Sequence, residues 1–372
     1  MIYLDSAATT LQKPAAVARA AAAAIRELSS PGRGGYPSAR RAAGIVLACR
    51  EEAADLFQVS RPERVVLTFN ATHGLNLAVK SMVRPGDRVL LSGYEHNAVT
   101  RPLAGIPGVE IRRVQAPMFR PDLFLEDLEH RLRETVDGVI CTHVSNVFGY
   151  ILPMDEIAAL CARRGVPLLV DASQSAGILP IRMETWGAAY VAMPGHKGLY
   201  GPQGTGLLLC GETPSPLLEG GTGSLSLQQE MPDFLPDRAE AGTQNVPGAA
   251  GLLEGLRFVR RRGEETILRH ECALRLFAAR RLRRLPGVEV FCPETEGCQS
   301  GVLSFRLRDR DAMEAAELLA DRGIAVRGGW HCAPMAHRTA ETADTGTVRA
   351  SFSAFNTLRE AEKLTEEVRR ML

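Results

Sequence analysis

Pro167-Leu168-Leu169-Val170-Asp171-Ala172-Ser173-Gln174 carries a short apolar run that ends on an acid. A strand with one wet face alternates apolar and polar residues. Residues 167–171 do not alternate, as expected of a strand buried on both faces in a parallel sheet covered by helices. Asp171 falls just past the carboxyl end of that strand, the edge at which open α/β sheets bind ligands. Its carboxylate has two readings there. It suits the protonated nitrogen of a pyridine ring, and it suits the cap of a following helix equally well.

Working outward, the same texture repeats. Upstream, strands are expected over 65–69, 88–91, 109–114 and 138–142, with helices over 72–82, 123–132 and 155–163 between them. Downstream, 190–193 and 206–210 complete the series. Repeated β-α-β units predict an α/β architecture with a mainly parallel sheet sandwiched by helices. Beyond residue 255 the pattern changes. Helices are expected over 256–262, 264–285, 311–322 and 358–371, and strands over 288–291, 301–307, 324–326 and 348–352. The division that follows is a large domain over 15–254 and a small α+β domain built from 255–372 with the N-terminal 1–14. One core stops growing near roughly 250–300 residues, so 372 residues suit two domains.

Composition narrows the function classes. Lys and Arg number 44 against 43 Asp and Glu, a net charge of +1, so no whole-chain field would attract nucleic acid or an anionic membrane. The start, Met1-Ile2-Tyr3-Leu4-Asp5-Ser6, lacks a basic stretch followed by an apolar one, and a cytoplasmic protein is expected. Eight cysteines include no C-x-x-C pair, so no structural metal site is expected.

Glycines crowd Met193-Pro194-Gly195-His196-Lys197-Gly198-Leu199-Tyr200-Gly201, immediately after an apolar strand. A lysine enclosed there loses proton affinity and becomes a neutral nucleophile, able to condense with an aldehyde; an ordinary turn with a solvated lysine is the other reading. Asn70-Ala71-Thr72-His73 turns from strand to helix. Free N–H groups at such a start, with the Thr72 hydroxyl, bind phosphate, although simple capping also accounts for them. His96, in Glu95-His96-Asn97, can stack on a flat ring or merely pack. Asn146, in Thr142-His143-Val144-Ser145-Asn146, can donate a hydrogen bond to a phenolate oxygen.

Taken in order, Thr72, His96, Asn146, Asp171-x-x-Gln174 and His196-Lys197 resemble the fold-type I pyridoxal-phosphate enzymes. More closely they resemble the class V aminotransferase family, and within it the group II cysteine desulfurases and selenocysteine lyases. Tyr3-Leu4-Asp5-Ser6-Ala7-Ala8-Thr9-Thr10, Ser30-Pro31-Gly32-Arg33-Gly34-Gly35 and Glu240-Ala241-Gly242-Thr243-Gln244-Asn245 extend the likeness over almost the whole chain. The resemblance implies pyridoxal 5'-phosphate as cofactor and Lys197 as its Schiff-base lysine. Asp171 would meet the ring nitrogen, Gln174 the phenolate side, and His96 the ring face, with Asn146 lining it. Ala71, Thr72 and His196 would hold the phosphate, and Thr243 would reach the phosphate of a second subunit in a homodimer. Pro194 stands where the family usually has Ser or Thr, which removes a hydroxyl from the implied phosphate cup.

Arg327-Gly328-Gly329-Trp330-His331-Cys332-Ala333 looks like the family's R-x-G-H-H-C-A segment, with Trp330 in place of the first His. The resemblance implies that Cys332 takes sulfur from L-cysteine as a persulfide and leaves L-alanine. A thiolate is the attacking species, so His331 beside it or Arg327 would help. Arg349 would grip the substrate α-carboxylate, with Arg327 a second candidate and Asn146 beside the substrate. Lys197 would move protons. L-Selenocysteine is the alternative substrate, another class V reaction a weaker alternative, and a sulfur-acceptor protein the expected partner. Residues 219–238 are expected to form a loop or hairpin over the site at the dimer interface.

Overall fold

The computed structural model describes residues 1–32, 34–293 and 297–372; Arg33 of the Ser30–Gly35 motif lies outside the described residues. At its centre is a seven-stranded sheet in the order Val65–Thr68, Gly206–Cys210, Tyr190–Pro194, Leu168–Asp171, Gly138–Thr142, Arg88–Leu91, Glu110–Arg113. Five of the strands form a continuous parallel set, from Tyr190–Pro194 to Glu110–Arg113. Gly206–Cys210 runs antiparallel to both of its neighbours. All residues of Gly138–Thr142, Leu168–Asp171, Tyr190–Pro194 and Gly206–Cys210 are buried, as the unbroken apolar runs require.

Register aligns the chemistry. Thr142 pairs with Asp171, and Asp171 with Ala192, so three carboxyl-terminal strand ends finish at nearly one level. The turns that leave them carry Asn146, Gln174 and Lys197 to the same edge.

A second, antiparallel sheet orders Val348–Ser351, Val302–Leu307 and Val288–Phe291. Ile2–Tyr3 pairs in parallel with Ile324–Ala325, which ties the N-terminus to this part of the molecule. One apolar cluster runs from Ala42 to Leu256 with Phe291, Ala333 and Ala336; another joins Leu4 to residues between Leu274 and Met371. Among the described residues no helix is long and apolar enough to cross a membrane.

Several boundaries differ from the sequence expectation. The helix expected from residue 256 begins ten residues earlier, as Val246–Arg262, because Asn245 caps it by accepting the Gly248 N–H at 2.9 Å. The next helix is Glu264–Leu282 and stops three residues short of 285. Pro37–Leu56, twenty residues long, has no counterpart in the sequence reading, although Ala42, Val46, Cys49 and Ala53 repeat at helical spacing and are buried. Residues 219–238 form a loop without strands, so of the two forms expected the hairpin is not adopted.

Candidate active site

Lys197 sits on the turn that follows Tyr190–Pro194 and is partly buried. Burial lowers its ammonium pKa to about 8; Asp171 pulls it back up, and Arg349 and Arg327 push it down further. Its turn is packed tightly. A side chain at Gly198 would meet the Ala176 carbonyl oxygen at 2.3 Å.

Lys197 shares a cavity of ≈ 230 Å³ with Ala71, Thr72, His96, Asn146, Asp171, Gln174, His196, Arg327 and Arg349. Ten of the twelve site residues expected from the sequence thus line one space. Thr243 and Cys332 do not. Thr243 is exposed and lines a separate cavity with Phe69 and His73. Cys332 is the exposed cysteine of the set, and stands beside the cavity next to its wall residue His331.

Local geometry explains each placement. Asn70 caps the Ala71–Met82 helix by taking the His73 N–H at 2.9 Å, which leaves the Ala71 and Thr72 N–H groups without intrahelical acceptors. His96 accepts the Ala98 N–H at Nδ1, 3.0 Å away, so its proton resides on Nε2. Burial, above all, brings its pKa down to about 4, keeping the ring neutral. Asp171 accepts the Ser173 N–H through Oδ1 at 2.9 Å, a local turn contact that leaves Oδ2 for another partner. Gln174 is turned by its Nε2, which donates to the Ala7 carbonyl at 2.9 Å.

The N-terminal segment builds part of this wall, and sequence spacing did not point to it. Thr10 donates its N–H and hydroxyl to the His196 carbonyl at 3.1 and 3.0 Å, Lys13 donates to the Thr10 hydroxyl at 2.9 Å, and Thr9 meets His196 Nδ1 at 3.1 Å. Burial lowers the Lys13 pKa to about 8 and that of His196 to about 4. Asp5 pairs with Arg349 Nη2 at 2.7 Å, and Arg349 Nη1 donates to the Asn146 carbonyl at 2.8 Å. Both terminal nitrogens of Arg349 are therefore engaged, and its buried Nε has no partner.

The cysteine segment is bent into an uncommon shape. His331 and Cys332 both have positive φ, 50° and 56°. For residues with a Cβ this left-handed conformation persists only where neighbours hold it. Here the Asn97 N–H donates to the Cys332 carbonyl at 2.8 Å, and Asn146 Nδ2 to the His331 carbonyl at 2.9 Å. The expectation that His331 assists the thiol is corrected by its ring, which turns inward: Nε2 meets the Thr347 carbonyl at 3.1 Å and the ring stacks on His337. Burial holds the ring well below its usual pKa. The cation near Cys332 Sγ is Arg327, whose Nη2 lies 3.9 Å away. Backbone hydrogen bonds in both directions fix Arg327 against Arg349.

The cavity is built for a polar ligand. Four of its lining residues hold a buried polar atom without a hydrogen-bond partner: Thr142 Oγ1, Asn146 Oδ1, His331 Nδ1 and Arg349 Nε. Such atoms are costly unless a ligand or solvent meets them. An acid beside one side of the space, a neutral imidazole, a neutralisable amine and two arginines suit a pyridine ring that bears an aldehyde and a phosphate, with an amino-acid carboxylate next to it.

A parallel sheet with these groups at its carboxyl edge is the architecture of the fold-type I pyridoxal-phosphate enzymes. The chain belongs to the class-V aminotransferase family, whose sequence profile matches residues 2–364. It is 33% identical over 382 residues to a probable cysteine desulfurase of Methanothermobacter thermautotrophicus, covering 98% of this chain and 93% of that one. It is 32% identical to a probable cysteine desulfurase of Mycolicibacterium paratuberculosis, all of this chain aligning but spanning only 55% of that relative's length. Among solved structures, the apo cysteine desulfurase of Thermococcus onnurineus superposes with a TM-score of 0.90 at 29% identity, covering 100% of this chain and 94% of that one.

Proposed function

We propose that this protein is a pyridoxal-phosphate-dependent cysteine desulfurase that converts L-cysteine to L-alanine and receives the sulfur as a persulfide on Cys332. The observation that carries the reading is one cavity holding Lys197 with Asp171, His96 and Arg349, and an exposed cysteine beside it, near Arg327. Relatives named cysteine desulfurase at about a third identity support it.

When bound, pyridoxal phosphate supplies an aldehyde that joins amines and a ring that withdraws electrons from the substrate. Lys197 Nζ would be its attachment point, and as a free amine would hold and return protons as general acid and base. Asp171 would meet the ring nitrogen through its free Oδ2, His96 would cover the ring, and Asn146 and Gln174 would border its oxygen side. The Ala71 and Thr72 N–H groups, the Thr72 hydroxyl and His196 would hold the phosphate. Arg349, through Nε, and Arg327 orient the substrate carboxylate, and Arg327 also lies next to the Cys332 thiol. Cys332 Sγ accepts the substrate sulfur.

The exposed Thr243 suits a homodimer in which it reaches the second subunit's phosphate. The ordered Cys332 segment, followed at once by the Pro334–Thr339 helix, suits delivery of sulfur to an acceptor protein that docks at the site. The two apolar clusters support a large domain over 15–254 and a small one from 1–14 and 255–372.

The test is incubation with L-cysteine. Equal yields of alanine and sulfide are expected under reducing conditions, and Cys332→Ala should lose both while keeping its visible absorption. L-Selenocysteine under the same conditions reads out the alternative substrate, which would be favoured if Cys332→Ala still released selenide freely. Lys197→Ala should lose the visible band; a band that survives unchanged sinks the attachment assignment.

A further inference from the structure

Behind Lys197 lies a second, smaller cavity of ≈ 30 Å³, lined by Ser6, Thr10, Gln174, Lys197, Tyr200 and Glu271, with Ser300, Ser351 and Ser353 closing it. Lys197 therefore forms part of the wall of both spaces. The volume is enough for about one water molecule, and its hydroxyl-rich lining supplies the partners a water needs. Ser300 Oγ is buried there with no hydrogen-bond partner.

Glu271 lies on the Glu264–Leu282 helix and is 6% exposed. Among the described residues its carboxyl forms no ion pair within 4.0 Å. Arg275, one turn along the same helix, directs its guanidinium instead to the carbonyls of Ser300 and Gln299 and to Cys292 Sγ. The absence of a side chain at Gly301 makes room for the acid, since a Cβ there would meet Glu271 Cβ at 2.6 Å and Oε2 at 3.0 Å. A buried carboxyl without a cation keeps its proton, and burial does push this one well above the usual carboxylate range. The titratable groups facing it are Lys197 and Tyr200 across the cavity and Arg275 on its own helix. Lys197 in turn faces Asp171, Arg349, Arg327, Asp5 and the rings of His96 and His196.

We propose that Glu271 is a positioning residue that stores a proton for Lys197 and exchanges it through the small cavity. The balance is simple. The carboxyl O–H bond breaks, a cavity water passes the proton on, and an N–H bond forms at a free Lys197 amine. A carboxylate and an ammonium result, and the reverse transfer restores both groups. The proposal rests on the reading of Lys197 as the acid–base group of the reaction, and deepens it.

Glu271→Gln has the volume and neutrality of the protonated acid, so a purely structural role leaves the variant indistinguishable from the parent. Infrared spectroscopy of the full-length holoenzyme should show the C=O stretch of a protonated carboxyl that Glu271→Gln lacks. In Lys197→Ala that band should persist and move, because the proton partner has gone. The prospective carboxylate raises the proton affinity of Lys197, so in Glu271→Gln the kcat–pH profile should move to lower pH by about one unit, a tenfold change in that affinity. A missing carboxyl band, a band unmoved in Lys197→Ala, or superimposable pH profiles each overturn the proposal. The carboxyl band is independent of the visible band that tests cofactor attachment, so failure of one reading is distinguishable from failure of the other.

Discussion

Arg349 illustrates how much depends on a single contact. Its side chain is 1% exposed, and its carboxylate partner is Asp5, 344 residues away in the chain. Removing one member of a buried pair leaves the other charge uncompensated, at a cost of about 3–5 kcal/mol. Asp5→Ala is therefore expected to destabilise the protein by about 3 kcal/mol in urea unfolding, at the low end because Asp5 is partly exposed. Asp5→Asn, which still accepts from Nη2, should lose clearly less. Equal losses would mean that charge, not the hydrogen bond, dominates the pairing. Cys332 and Lys197 are single-residue cases of another kind, and their alanine variants separate sulfur acceptance from cofactor attachment. At this scale the sequence was informative about identities. Lys197, Asp171, His96 and Asn146 were singled out from local context, and Arg349 through the family resemblance. It was misleading about His331, because adjacency in the chain says nothing of where a ring turns: the ring points inward to Thr347 and His337.

Between residue and molecule, elements decide how precisely the chemical groups meet. The Lys197 turn lies against the Ala176-Gly177 turn so closely that each glycine faces the other's backbone: a Cβ on Gly177 would meet the Gly198 carbonyl oxygen at 2.2 Å. A backbone oxygen cannot swing aside as a side chain can. Gly198→Ala is expected to cost about 1–3 kcal/mol from overpacking. It should also displace Lys197, seen as a lower thermal midpoint together with a weakened visible band. A normal band with a normal midpoint would show that the two turns can separate freely. Strands were the elements most legible beforehand. Leu168–Asp171 and Gly206–Cys210 are apolar, unalternating and wholly buried. Helices such as Pro37–Leu56 were less so, since their polar faces carry many charges and the apolar stripe is made mostly of alanine. The antiparallel direction of Gly206–Cys210 was invisible in its composition, because strand direction depends on the path of the connecting turn.

For the molecule as a whole, buried titratable groups set the response to pH. Burial lowers the pKa of His96, His143, His196 and His337 to about 4, holds that of His331 well below its usual value, and lowers that of His73 as well. Each ring binds a proton more readily in the unfolded chain between about pH 4 and 6.5, so each contributes stability that is lost as pH falls through that window. Burial raises the pKa of Glu95, Glu264 and Glu271, and these oppose the trend, since the folded state then binds the extra proton. Six rings against three acids leave the unfolded state the stronger proton binder as pH falls through this window. Unfolding free energy should fall between pH 6.5 and 5, by on the order of 1 kcal/mol per pH unit. Urea titrations across that range check it, and a flat or rising profile would contradict it.

Alternation, or its lack, reports which faces of a strand are wet, and glycine-dense turns after buried strands mark where a sheet edge can hold a ligand. From these alone the chain declares an α/β architecture with a parallel sheet, a change of texture beyond residue 255, and a candidate edge carrying Thr72, Asp171 and Lys197; the rest of the site was assigned through the family resemblance. Local patterns carry that much because burial and backbone freedom are local properties. What only the tertiary structure decided is who meets whom. Asp5 reaches Arg349, Thr10 and Lys13 clasp the His196-Lys197 turn, and Arg327 rather than His331 stands by Cys332. Glu271 comes up behind Lys197 because Gly301 leaves it room. Each of these contacts joins segments far apart in the chain, or depends on the direction of a side chain, and neither is written in spacing.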